Sequence, residues 1–228
     1  MSLKLIGAAV IAACLGVWAA VWGAVEAPVY FAGDLAHGWE TGAGEVDEDA
    51  RRGARLRLER AHAVNPLNAS YALTLGRIHF ARALQFPVGD EEARAERAQA
   101  VRYFRDVTEV RPAWGRGWAF LARTKMYEPD LDDEFYAALE RATILGPWEP
   151  EVQDSIAWTG MSTWDRLPPA MRERVRVTVR RMLDHYPRDR YAMEMAVRLR
   201  WEAELGGLAL NPEQARWLQD RVRSRGAS

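Results

Sequence analysis

Residues 100–122 read AVRYFRDVTEVRPAWGRGWAFLA. Two helical patterns meet there at one proline. Before it, Ala100, Phe104 and Val107 fall on one face, with Arg102, Arg105 and Glu109 on others. After it, Trp118, Leu121 and Ala122 open a second pattern. Pro112 stops the first helix because it cannot donate a backbone hydrogen bond and restricts the residue before it. The stretch therefore spells helix, tight turn, helix.

The same unit recurs along the chain. Prolines at Pro66, Pro112, Pro147 and Pro187 are spaced by 46, 35 and 40 residues. Three positions precede each at constant spacing: Ala54, Leu58 and Ala61; Ala100, Phe104 and Val107; Phe135, Leu139 and Ala142; Val175, Val179 and Met182. The positions after each proline also correspond: Ala72 with Leu75-Gly76, Trp118 with Leu121-Ala122, Gln153 with Ile156-Ala157, and Met193 with Ala196-Val197. Small residues at these sites let paired helices approach closely, and Asn65-Pro66-Leu67-Asn68 adds a helix stop and a cap. A repeat of this kind resembles the tetratricopeptide (TPR) family. The resemblance implies an all-α, degenerate TPR-like α-solenoid of about 3–4 helical hairpins. It is weakest in the last unit. Segments 85–96 and 161–170 lengthen two hairpins, and the capped run Asn211-Pro212-Glu213 starts a short terminal helix whose Trp217 and Leu218 dock on the last hairpin. Residues 175–180 alternate as a strand would, but inside a longer helical period, and read as helix.

Outside the repeat, residues 5–25 carry no charge. At about 1.5 Å rise per residue such a helix spans a hydrocarbon core of ~30 Å. Trp18 and Trp22 sit near its end, where indole rings favour the headgroup layer. Lys4 precedes the run, and Glu26, Asp34 and Glu40 follow it before the first arginine, Arg51. That asymmetry puts the N-terminus in the cytoplasm and the helical part in the periplasm of a bacterium. Cleavage after Val25-Glu26-Ala27 is the rival, opposed by Pro28 and by the length of the apolar run. The expected organisation is a transmembrane anchor over 1–27, an acidic, glycine-rich linker without helical period over 28–50, and a repeat domain over 51–228.

Composition narrows the chemistry. The net charge is −1, which gives no electrostatic reason to expect nucleic acid. The one cysteine, Cys14, lies in the apolar run, so the repeat region holds no thiolate nucleophile or disulfide. His37, His62, His79 and His185 show no metal-ligand spacing, and His79 reads as a core residue. The acidic run Asp130, Asp132, Asp133, Glu134 lacks the glycine and distal glutamate of a calcium loop and reads as a helix N-terminus. Gly115-Arg116-Gly117 reads as a turn into a helix and not as a phosphate loop. No catalytic residue, metal site or cofactor is expected.

Ten tryptophans stand out. Trp114 and Trp148 lie beside Pro112 and Pro147 in corresponding turns, where they either stack on a sugar or peptide or wedge hairpins together. The run from Leu145 through Gly146-Pro147-Trp148-Glu149-Pro150-Glu151 to Val152, followed by Trp164-Asp165-Arg166-Leu167, resembles the VpsP-type polysaccharide biosynthesis proteins. The turns Asn65-Pro66-Leu67-Asn68 and Arg111-Pro112-Ala113-Trp114 carry the same likeness, which covers about residues 51–218. It implies an anchored, non-catalytic accessory role beside bacterial exopolysaccharide synthesis or export proteins. Trp114, Arg116, Trp148 and Trp164 are the candidate partner-binding residues. A glycan is the alternative partner, and a place as a small subunit of another membrane complex is a third reading.

Overall fold

The computed structural model describes residues 11–17, 32–33, 35–36, 38–39, 47–185, 187–208 and 210–226. Among them the regular structure is helical throughout, with no strand. The expected anchor over 5–25 lies largely outside the described residues, of which 11–17 are helical and exposed. No helix among the described residues is long and apolar enough to cross a membrane. Part of the expected non-helical linker is helical: 32–33, 35–36 and 38–39 adopt helix, and Ala32, Ala36 and Trp39 are buried. Their spacing of four and three residues makes a small apolar face, which the acidic composition around it masks.

The chain divides into two compact units, Met1–Val110 and Arg111–Ser228. In the first, α1 (Glu48–Val64), α2 (Ala69–Ala83) and α3 (Glu91–Val110) pack in sequence, with α2 between the others. Asp47 caps α1 by accepting from the Asp49 and Ala50 amides. The helix α2 is buried almost all round, including Tyr71, Leu75, Ile78 and Phe80. A helix without a polar face needs partners on both sides, which α1 and α3 supply. The presumed insertion 85–96 is only partly loop: α3 begins at Glu91, where the Asp90 carboxylate accepts from the Glu92 amide.

Polar side chains tie this unit together. Arg82 bridges Glu48 at 2.5 Å and Glu92 at 3.2 Å, joining all three helices. His79 is buried as expected, stacked on Tyr103, with its Nδ1 2.6 Å from the Glu96 carboxylate. Burial alone would raise the pKa of Glu96, but the His79 hydrogen bond and charge, with Arg51 and Arg82, hold the carboxyl below its ordinary 4.5. A carboxylate depressed on folding stabilises the fold above its unfolded pKa, and loses that contribution as pH falls through the folded one. Glu96→Gln is therefore expected to cost about 1 kcal/mol near neutral pH. The gap from wild type should close as pH drops below 4.5, read by thermal unfolding followed by circular dichroism across that range.

The second unit contains α4 (Gly115–Lys125), α5 (Asp133–Leu145), α6 (Pro150–Ser162), a single 3-10 turn (Trp164–Arg166), α7 (Pro169–Leu183), α8 (Arg188–Arg198), α9 (Glu202–Gly206) and α10 (Pro212–Gly226). Helix α6 neighbours both α4 and α8, and α5 meets α7 on the other side of it. Gly160 is the close-approach point of α6 and α7, because the Val175 side chain occupies the space a Cβ would need.

The repeated positions behave alike in both units. All twelve residues placed before the prolines are buried, from Ala61 at 8 % exposure to Phe104, Leu139 and Val179 at 0 %. Three of the four proline turns share one geometry. The amides of Asn68, Trp114 and Glu149 donate to the carbonyls of Asn65, Arg111 and Gly146, with proline second in each turn. Proline there presets the backbone angle that such a turn needs. Six residues beyond two of the prolines, Trp118 Nε1 and Gln153 Nε2 donate back to the Pro112 and Pro147 carbonyls, at 2.8 and 2.9 Å. Different side chains thus perform one task at one repeat position. Trp118 is half-buried, less enclosed than its core assignment implied.

The last unit departs from the pattern, as its weak spacing foretold. Pro187 itself precedes α8, and the Asp189 amide bonds to His185. At the far end of α8, Arg200 has φ 58 and the Trp201 amide reaches back to Ala196. A left-handed residue closing a helix in this way is usually glycine. Asn211 caps α10 by accepting from Glu213 and Gln214 amides, and Gln214 returns a bond to the Asn211 amide. This terminal helix has 15 residues and is not short.

Candidate functional site

The turn Arg111–Trp114 and the turn Gly146–Glu149 lie against each other. A Cβ on Gly115 would stand 2.7 Å from the Gly146 nitrogen and 2.8 Å from its Cα. Two backbones at van der Waals distance leave no room for a side chain. Arg116, one residue on, pairs with Glu151 at 2.6 Å, joining the first turns of α4 and α6. Trp114, Arg116 and Trp148 are therefore assembled at one edge of the second unit.

The two tryptophans do not occupy equivalent places there. Trp114 is the fourth residue of its turn, in the cap position before α4, and is half-buried. Trp148 is the third residue of its turn and is 66 % exposed. The corresponding residue of the first turn, Leu67, is 77 % exposed. The third turn position points outward in both, and one residue of offset decides which indole meets solvent. Arg111 lies 4.3 Å over the Trp114 ring and helps line a shallow groove of about 220 Å³ with Pro112 and Ala113. Arg181, from the end of α7, lies 4.7 Å over Trp148.

Trp164 belongs to a different place. It follows the C-terminal end of α6, whereas Trp148 precedes its N-terminus. A helix of 13 residues separates them by roughly 20 Å. Its Nε1 donates to Glu204 at 3.2 Å, its ring meets Trp201 edge-on at 5.0 Å, and Arg172 and Arg176 lie over it. Arg176 also binds Glu204 at 2.7 Å. With its donor satisfied and its ring engaged, Trp164 clamps α7 to α9 and does not join the turn-edge residues.

Arginine over tryptophan is a theme that residue spacing did not announce. Besides Trp114, Trp148 and Trp164, Trp118 carries Arg141, Trp158 carries Arg198 and Trp217 carries Arg221. A guanidinium over an indole face contributes about 0.5–1 kcal/mol at an exposed site. Two of these pairs, Arg111 with Trp114 and Trp217 with Arg221, stand three and four residues apart. The others join residues farther apart in the chain.

A charged face crosses α4, α6 and α8. Beyond Arg116 with Glu151, Asp154 on α6 pairs with Arg188 on α8 at 2.5 Å. Burial pushes the Asp154 carboxyl up, against the pull of Arg188 and Arg123. Tyr191 stands close by, its phenol raised by burial and by the Asp154 charge. At the far end of α4, Lys125 binds Asp132 at 2.7 Å and Glu134 at 2.5 Å. Burial would lower the ammonium's pKa, but these two carboxylates outweigh it and hold it above 10.5. Asp132 also caps α5 through the Phe135 amide, so the acidic run is a helix start as expected. Among the described residues no group of three or more His, Cys, Asp or Glu side chains is arranged to hold a metal ion. No family model, no curated protein and no solved structure matches this chain.

Proposed function

We propose that the chain is a non-catalytic, TPR-like scaffold for bacterial envelope exopolysaccharide synthesis or export. In this reading residues 5–25 anchor it in the inner membrane and the helical hairpins work in the periplasm. The observation that carries the scaffold reading is the repeated hairpin, with its shared proline turns and its face of paired charges across α4, α6 and α8. Neighbouring helices that carry fixed charge pairs suit a protein partner whose register must be set. The polysaccharide setting rests on the likeness of the turn motifs to the VpsP type. Tethering to the membrane would raise the effective concentration of the client.

The test is in-cell crosslinking from position 114, followed by mass spectrometry. Capture of a polysaccharide polymerase, ligase or export protein is expected. Capture of an unrelated membrane complex would overturn the polysaccharide setting. Removing residues 51–228 while keeping the anchor is expected to abolish polymer output, and unchanged output counts against the scaffold. Exchanging residues 5–25 for an unrelated span should leave function intact, unless the anchor is itself the main contact.

The exposure of Trp148 and the groove at Trp114 favour a second reading, direct glycan capture at the turn edge. Trp114→Ala with Trp148→Ala is then expected to abolish glycan binding with the circular dichroism spectrum unchanged. Retained binding rejects that reading.

A further inference from the structure

Away from the turn edge, α8 and α10 line an open groove of about 450 Å³, formed by Glu194, Val197, Arg198, Trp217, Arg221 and Ser224. Its volume falls in the range of small-molecule pockets, about 300–1,000 Å³. Its chemistry comes from two pairs four residues apart. Glu194 and Arg198 share one face of α8, and Trp217 and Arg221 share one face of α10.

Both arginines are exposed and lie over indole rings. Arg221 lies 5.5 Å over Trp217, and Arg198 lies 5.2 Å over Trp158 on α6. A guanidinium over an indole does not spend its in-plane N–H donors on the ring, which leaves them suited to bidentate recognition of a carboxylate. Among the described residues no ion pair joins Glu194 to either arginine. The groove thus presents two cations, one separate carboxylate and the half-buried indole of Trp217.

We infer that this groove binds an acidic sugar residue, of the uronate class, within a glycan chain. The indole face that Arg221 does not cover takes the apolar face of a pyranose ring. The guanidinium groups take its carboxylate, and Glu194 accepts hydrogen bonds from its hydroxyls. Glu194 favours a ligand whose anionic group is accompanied by vicinal hydroxyls, which the carboxylate of an acidic peptide does not bring. The inference stands apart from the scaffold reading and from the turn-edge tryptophans, since it uses none of their residues.

The test uses the full chain in detergent micelles, titrated by calorimetry with a galacturonate trisaccharide and with the matching neutral galactose trisaccharide. The uronate is expected to bind at least about tenfold tighter than the neutral sugar, an advantage that shrinks with added salt. Arg198→Gln and Trp217→Ala are each expected to weaken uronate binding about tenfold, with the circular dichroism spectrum unchanged. The exposed Glu194→Gln, which carries no risk to the fold, should weaken binding of both sugars. Trp114→Ala with Trp148→Ala should leave uronate binding unchanged. No binding of the uronate, equal affinity for both trisaccharides, unaltered affinity in both Arg198→Gln and Glu194→Gln, or equal binding of an acidic peptide of the same charge would each overturn the assignment.

Discussion

Gly115→Ala is expected to destabilise the second unit by about 3 kcal/mol or more, a cost at the upper end of those for overpacking. The added methyl would meet the Gly146 nitrogen at 2.7 Å, its Cα at 2.8 Å and the Leu145 carbonyl carbon at 3.1 Å. All three are backbone atoms, so no side-chain rotation relieves the clash. The two proline turns would have to separate, and the Arg116–Glu151 pair across them would be lost with the contact. Gly146→Ala makes a gentler comparison, because the atoms nearest its Cβ, at 2.9–3.1 Å, belong to the Val152 side chain. Gly53→Ala, inside α1 with nothing near its Cβ, should stabilise by about 0.5–1 kcal/mol. Urea titration followed by tryptophan fluorescence and far-ultraviolet circular dichroism orders the three variants. A Gly115→Ala protein as stable as wild type would mean that the two turns do not touch in solution.

Phe104→Ala should cost about 3–5 kcal/mol, the usual loss for emptying a buried aromatic site. Phe104 is fully buried, and its ring covers Gly76, whose Cβ would fall 2.5 Å from the Phe104 Cε1. The two positions are therefore coupled. Gly76→Ala alone is destabilising because the ring blocks the new methyl. In the Phe104→Ala background the same methyl enters the vacated space. A double-mutant cycle is expected to show favourable coupling of about 1 kcal/mol or more. Amide hydrogen exchange in α2 reads this locally, and additive losses would show that α2 and α3 do not pack through this pair.

The size of both effects follows from positions that a linear reading had marked. Phe104 is the large residue of its repeat, and Gly76 is the small one of Leu75-Gly76. Helical spacing reveals such residues because it fixes which side of a helix faces inward, and the proline fixes where the helix stops. The same logic placed Asp132 and Asn211 at helix starts, and both cap their helices. It failed where composition hid a short pattern. Acidic residues and glycines around Ala32, Ala36 and Trp39 masked a helical face, and the segment 85–96 was read wholly as insertion although α3 begins within it.

The candidate site was less legible. Trp114 and Trp148 look alike beside their prolines, yet one is half-buried and the other 66 % exposed, because they occupy different steps of the same turn. Trp164 was grouped with them through a motif, but its hydrogen bond to Glu204 and its contact with Trp201 commit it to packing. The groove at Glu194, Arg198, Trp217 and Arg221 needed α8 and α10 to be brought side by side.

Sequence alone determined the all-helical character of the described residues, the proline turns and the inward positions, from Ala54 to Met182. Each depends on neighbours within a few residues, which backbone geometry and hydrogen bonding constrain directly. Tertiary structure alone decided that Arg141 covers Trp118, that Arg198 covers Trp158, and that Gly115 rests on Gly146. An arginine side chain is long enough to reach several helices. Which indole it covers is set by helix packing across tens of residues, a quantity that local periodicity does not encode.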